Sequence, residues 1–299
     1  MEEKKQPISE VRLDQLVDYS QPYAVLEEVK HNFIYHYPIS EFIQFRYYFN
    51  DFIDLMEGRY PGYKRYNTKF HDIQHTTDVL LAMSRLIDGY NIKNNKNKLS
   101  LGKVKIALLA TLFHDTGYLQ TVDDQEGTGA KYTLVHVERS VEFLSKYMQQ
   151  KGFTYQDFEV AKNIILCTKL GLDPSQINFS DEEEKKLGYM LGTADLIGQM
   201  SARTYLERLV FLFYEFREAG ISGYTSEFDL LKKTQEFYKM VLDRINNQLD
   251  RTYEYLKYHF KKRYKINKNL YLVAIDRAIN YINTINSPQD MFTKLRRKV

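Results

Sequence analysis

"VKIALLATLFHDTGY", residues 104–118, is a run of Val, Ile, Ala and Leu that ends in an imidazole beside a carboxylate. The apolar part has the recurrence of a helix buried all round, and Gly117 breaks it two residues after the acid. His114 and Asp115 are costly to bury there unless something neutralises and orients them, and a divalent cation does both. Neighbouring side chains on a helix point ~100° apart, so both reach one ion only if the backbone turns at the last residues.

Helical recurrence extends over nearly the whole chain. Residues 21–37, 40–57, 71–89, 103–114, 135–150, 156–169, 181–199, 202–219, 226–263 and 268–285 all read as helices, and no segment alternates convincingly as a strand. The fold class expected is therefore all-α. Thr154 with Asp157, and Ser180 with Glu183, have capping-box form. Residues 96–103 and 123–131 read as loops, and 171–176 as a helix stop.

The 299 residues, 43% hydrophobic, suffice for a sizeable core. A net charge of +3, from 42 basic and 39 acidic residues, gives no global field for nucleic acid or membrane. Cys167 is the one cysteine, which excludes an internal disulfide and a multi-cysteine zinc site. The first residues lack the apolar core of a signal peptide, and no run approaches the ~18 apolar residues of a membrane span. A cytoplasmic protein is expected.

Two other stretches bear on chemistry. "FHDIQHTTDVLLA", residues 70–82, sets His71 and His75 four apart in what otherwise looks like an amphipathic helix, so both rings can reach one point. A pair of polar residues on a solvated face is the plainer reading. "GYMLGTADLIGQM", residues 188–200, sets Asp195 alone among apolar neighbours, where a cap or surface acid is again the plainer reading. Joined to His75, His114 and Asp115, it completes two nitrogen and two oxygen ligands, a set that holds Zn, Fe, Mn or Mg and leaves positions for water.

The order His75, His114-Asp115, Asp195 resembles the HD-domain metal-dependent phosphohydrolase superfamily. Residues 70–82 are similar to the Y-H-N-x-x-H-x-x-x-V segment of cyclic-nucleotide phosphodiesterase catalytic domains and their bacterial relatives, and "LFHDTGY" resembles the HD motif itself. The likeness covers about residues 60–220. It implies a compact multi-helix bundle with a metal site between helices. Two divalent ions are implied: His75, His114, Asp115 and Asp195 hold the first, and Asp115 bridges to the second. His71 matches the histidine that protonates the leaving oxygen. The implied reaction is hydrolysis of a cyclic nucleotide or similar phosphate ester by metal-bound hydroxide attacking phosphorus in line. The same ligands would serve a nucleotidase, a deoxynucleotide triphosphohydrolase, or a nucleotide sensor without turnover. Phe70 and Asp72 stand where that family has Tyr and Asn, and Asp72, if close, would favour protonated His71. The residues that grip the base are not placed.

His136 is a further candidate to touch substrate, equally readable as a helix-surface histidine, and Lys69, Lys131, Lys169 and Arg203 are candidates for phosphate recognition, each more simply read as a surface charge. Glu138 and Arg139 stand beside His136 with a weaker claim. His31, His36 and His259 read as structural or solvated, and Cys167 as a buried thiol.

Residues 1–20 read as an N-terminal arm, loosely held, and 21–299 as one helical domain with a C-terminal helical extension at 225–299. In that extension Tyr238, Leu242, Ile245, Leu249, Thr252 and Leu256 follow a seven-residue step, a homodimer seam or, with a face this wide, part of the chain's own core. Residues 257–268 interleave basic and aromatic side chains, more simply a solvated helix end than a nucleic-acid surface.

Overall fold

Every residue from His75 to Gly89 is buried, so the helix that carries them has no solvated face and other helices must surround it. The computed structural model describes residues 11–296. In chain order these form α1 (Pro22–Ile34), α2 (Ile39–Met56), α3 (Ile73–Lys93), α4 (Leu101–Phe113), α5 (His136–Gln150), α6 (Tyr155–Leu166), α7 (Glu182–Ser201), α8 (Tyr205–Glu218), α9 (Glu227–Asn247), α10 (Leu256–Tyr264), α11 (Leu270–Ile282) and α12 (Pro288–Lys294). Among the described residues there is no strand, only an isolated bridge between Tyr63 and Thr121. The all-α expectation holds, and none of these helices is long and apolar enough to cross a membrane.

Helix α3 is the axis, packed by α1, α4, α7 and α10. It is therefore not the amphipathic surface helix that its sequence suggested. Some buried polar groups along it are paired across the bundle, although both Asp78 carboxylate oxygens and Arg85 Nε and Nη2 have no hydrogen-bond partner among the described residues. Asp88 takes His36 Nε2 at 2.7 Å and His259 Nδ1 at 2.6 Å, which ties the α1–α2 turn and α10 to the axis. Both histidines are thus structural, whereas His31 is exposed.

Three sequence expectations change. The helix read over 226–263 breaks, because Asp250 and Arg251 take left-handed backbone with φ of 50° and 51° and a short 3-10 turn follows at Thr252–Tyr255. The seven-residue stripe folds inward with that break: Ile245, Leu249, Thr252 and Leu256 are buried, and Thr252 Oγ1 lies 2.7 Å from Thr193 Oγ1 of α7. Those positions belong to the chain's own core and form no continuous seam. Asp181, not Ser180, caps α7, by accepting the N–H groups of Glu183 and Glu184 at 3.0 Å each. Residues 11–20 are not loosely held: Leu13 is buried, and the Tyr19 hydroxyl accepts from the buried Arg85 at 3.0 Å. The rest of that arm, residues 1–10, lies outside the described residues.

Candidate metal centre

Three helices and one turn deliver four side chains to one point. Asp72 caps α3, its carboxylate accepting the N–H of His75 at 2.8 Å, so His75 projects from the first turn of the axis. His71 lies before that cap. The two histidines are therefore not stacked on one helix; their rings meet edge to face with centroids 5.5 Å apart.

His114 ends α4 in helical conformation, and Asp115 leaves it with φ −109° and ψ 10°. This is the change of direction that two adjacent ligands require. Gly117 makes it feasible, because a Cβ there would sit 1.8 Å from the His136 carbonyl oxygen, and α5 could not approach. Arg139 braces the same turn by donating to the carbonyls of Gly117 at 2.7 Å and Leu119 at 2.8 Å.

Asp195 arrives from α7. Ligand atoms of His75, His114 and Asp195 all lie within 4.8 Å of one another. Asp115 Oδ2 is 3.0 Å from His75 Nε2 and 3.4 Å from His114 Nε2, and Asp195 Oδ1 is 3.3 Å and 3.6 Å from the same atoms. His114 Nδ1 donates to the Thr111 carbonyl at 2.8 Å, so its Nε2 presents a lone pair to the centre. His75 Nε2, His114 Nε2 and Asp115 Oδ2 are buried and face only one another and Asp195, with no further hydrogen-bond partner among the described residues. Orphaned buried donors of this kind fit a divalent cation of the Zn, Mn or Fe type, held by nitrogen and carboxylate oxygen.

The electrostatics point the same way. Burial works against a charged His75, but Asp115 and Asp195 outweigh it and push its pKa up to about 10. Burial likewise resists ionised Asp115, yet His114 and His75 hold that carboxyl well below the usual range. The buried Asp115 and half-buried Asp195 carboxylates thus draw positive charge to the centre, as protons on imidazoles or as a cation in their place.

His136 opens α5 with Nδ1 on the Thr133 carbonyl at 2.6 Å and Nε2 3.7 Å from Asp115 Oδ1. Burial lowers its pKa, against the pull of Asp115. Tyr118 stacks between His71 and His136, with centroids 4.5 Å and 4.7 Å away. The acid beside His71 is Glu215 of α8, at 2.8 Å from Nδ1, while Asp72 is engaged with its cap and with Arg208 at 2.8 Å. Glu215 also accepts the N–H groups of Lys69 and Phe70 at 2.8 Å and 2.7 Å. Burial raises its pKa, but the His71 contact and those N–H groups bring it below the ordinary value.

Sequence reasoning missed Tyr118, Arg208 and Glu215. Tyr118 follows the His-Asp pair closely enough to have been suspected, whereas the α8 residues carry no local signal. The cations proposed for phosphate are not gathered here. Lys69 lies over the Phe211 ring, Lys131 pairs with Asp124 at 2.5 Å, and Lys169 pairs with Glu138. Arg203 faces Asp14 at 3.5 Å and lines a different cavity. Cys167 is buried, and burial pushes its thiol pKa up, away from nucleophilic use.

A family model described as Npun_R2479-like matches residues 124–277. The matched stretch includes His136, Asp195 and Glu215 and begins after His75, His114 and Asp115. No curated protein and no solved structure matches the chain.

Proposed function

The chain belongs to the Npun_R2479-like family, and, because that description names no reaction, we propose from the site itself that it is a metal-dependent phosphohydrolase acting on phosphodiesters. The observation that carries the reading is the convergence of His75, His114 and Asp195 within 4.8 Å, with Asp115 beside them. The order of these residues, with their likeness to HD-domain phosphohydrolases, supports it.

His75, His114, Asp115 and Asp195 would hold the cation, with the Asp115 Oδ1 side and His136 nearest any second one. A divalent ion there supplies charge neutralisation for phosphoryl oxygens and an acidified water at neutral pH. Glu215 keeps the Nδ1 proton of His71 engaged, which leaves Nε2 as the nitrogen that gives up a proton. As the P–O bond to the leaving group breaks, its electron pair stays on that oxygen, and His71 Nε2 protonates it. The Thr111 carbonyl on His114, the Glu215 carboxylate on His71 and the stacked Tyr118 hold these rings before substrate arrives, so little reorganisation is needed.

The test is to incubate the full-length protein with Mn and Mg against cyclic mono- and dinucleotides, aryl phosphodiesters, nucleoside monophosphates and deoxynucleotide triphosphates. Products are identified by chromatography, with Asp115→Ala as control. A monoester released from a diester only by the intact chain is the expected result. Free nucleoside or tripolyphosphate would reassign the reaction to a nucleotidase or a triphosphohydrolase. No product, with metal bound, would reject catalysis.

A further inference from the structure

His71 and His136 also line a cavity of about 350 Å³ whose far wall is the α8–α9 hairpin. Leu209, Leu212 and Phe216 recur at i, i+3 and i+7 on one face of α8, and Leu230 and Phe237 at i and i+7 on one face of α9; all five line this space. The two helices thus turn apolar stripes toward a pair of histidines. Leu212, Phe216 and Phe237 are only half-buried, so apolar surface is available to a bound group.

The charge inventory is as telling. Among the described residues, Lys233 is the only Lys or Arg that lines the cavity, and it is already bonded to Asp229 at 3.0 Å and to the Gly223 carbonyl at 2.7 Å. Lys69, Lys131, Lys169 and Arg203 do not line it. A polyphosphate chain would enter without counter-charges, at the cost of desolvating each one. Gln199, one turn beyond the ligand Asp195, offers one amide to a single polar atom of a bound group.

Resting on the phosphohydrolase reading above, we propose that the substrate is a diester with one phosphoryl centre whose leaving group is apolar or aromatic and sits in this cavity, and that polyphosphates are excluded. The proton from His71 is delivered where that group departs, since His71 lines the same cavity. A water oxygen bonds to phosphorus and gives up a proton to solvent, while the leaving oxygen takes the bonding pair from phosphorus and the proton from Nε2 and is released as a neutral alcohol or phenol.

The experiment compares, on the Mn-loaded full-length protein, a series of phosphodiesters with the same phosphoryl centre and methyl, hexyl or phenyl leaving groups, together with a deoxynucleotide triphosphate. KM should fall at least tenfold from methyl to hexyl or phenyl, the gain should shrink in Phe237→Ala at unchanged metal content, and the triphosphate should not be turned over. A KM indifferent to the leaving group, or tripolyphosphate released at a comparable rate, overturns the inference and leaves the phosphohydrolase reading standing. If no ester is hydrolysed, that reading fails, and titration with inert phenylphosphonate against inorganic phosphate decides the cavity separately. Tighter binding of phenylphosphonate that Phe237→Ala abolishes supports an apolar site; equal binding overturns it.

Discussion

His71 Nδ1 lies 2.8 Å from a Glu215 carboxylate oxygen although 144 residues separate them. The other oxygen of that carboxylate holds the backbone N–H groups of Lys69 and Phe70. Glu215 therefore fixes both the ring and the segment that carries it, and under the proposed reading this divides the histidine pair into a metal ligand, His75, and a proton carrier, His71.

Replacement of Glu215 by Gln should act on turnover. The amide oxygen can still accept the two N–H groups, but the charge that orients protonated His71 is gone. We expect kcat to fall about tenfold or more, with KM and bound metal little changed. Steady-state kinetics beside metal analysis checks this, and parallel loss of metal would show that Glu215 supports the ligand cluster instead.

Ligand removal should separate the same roles. His75→Ala and Asp195→Ala are expected to lose stoichiometric Mn or Zn, because under the proposed reading each would supply one of the few contacts to the ion. His71→Ala should retain the metal and lose turnover. Equal metal loss in all three would refute the division.

Gly117→Ala tests whether the turn after Asp115 depends on close backbone approach. Its Cβ would meet the His136 carbonyl oxygen at 1.8 Å, whereas a Cβ at Gly102 of α4 meets nothing within 4 Å. The first should cost roughly 3 kcal/mol or more, a Tm drop of about 6 °C or more. Gly102→Ala should leave stability unchanged or raise it by about 0.5–1 kcal/mol. Similar Tm values for the two variants would contradict the contact.

Asp88→Asn probes the core electrostatics. Burial raises the Asp88 pKa, but His259 and His36 bring it below its ordinary value. A depressed folded pKa means stabilisation that is complete above the unfolded value, about 3.9, and lost as pH falls through the folded one. Replacing the charged acceptor of these buried hydrogen bonds should cost about 1.5–3 kcal/mol near neutrality. Thermal melts from pH 7 down to pH 3 should show the gap between wild type and variant closing only below about pH 4. A gap that closes near pH 6 would instead assign it to the histidines.

The His114-Asp115 pair was legible because an apolar helix cannot end in two ionisable groups without a reason, His75 because it stands four residues from His71, and Asp195 because it sits alone among apolar neighbours. The partner of His71 was not. Asp72 is next to it in sequence, yet capping α3 and pairing with Arg208 use that carboxylate, and nothing in residues 205–218 marks Glu215 as anything but a charge on an amphipathic helix. The break after Asn247 was hidden because no Gly or Pro marks it; Asp250 and Arg251 take left-handed backbone between the buried Leu249 and Thr252.

By itself the sequence determined the helical class, the approximate extent of most helices and the four ligand candidates, because helical periodicity and isolated ionisable groups in apolar runs are local properties of the chain. Tertiary structure alone decided that α3 is the buried axis, that Glu215 serves His71, and that the α8 and α9 stripes face the histidines. Those depend on which helix faces pack together, and a helix carries the same periodic signal whichever neighbour it meets.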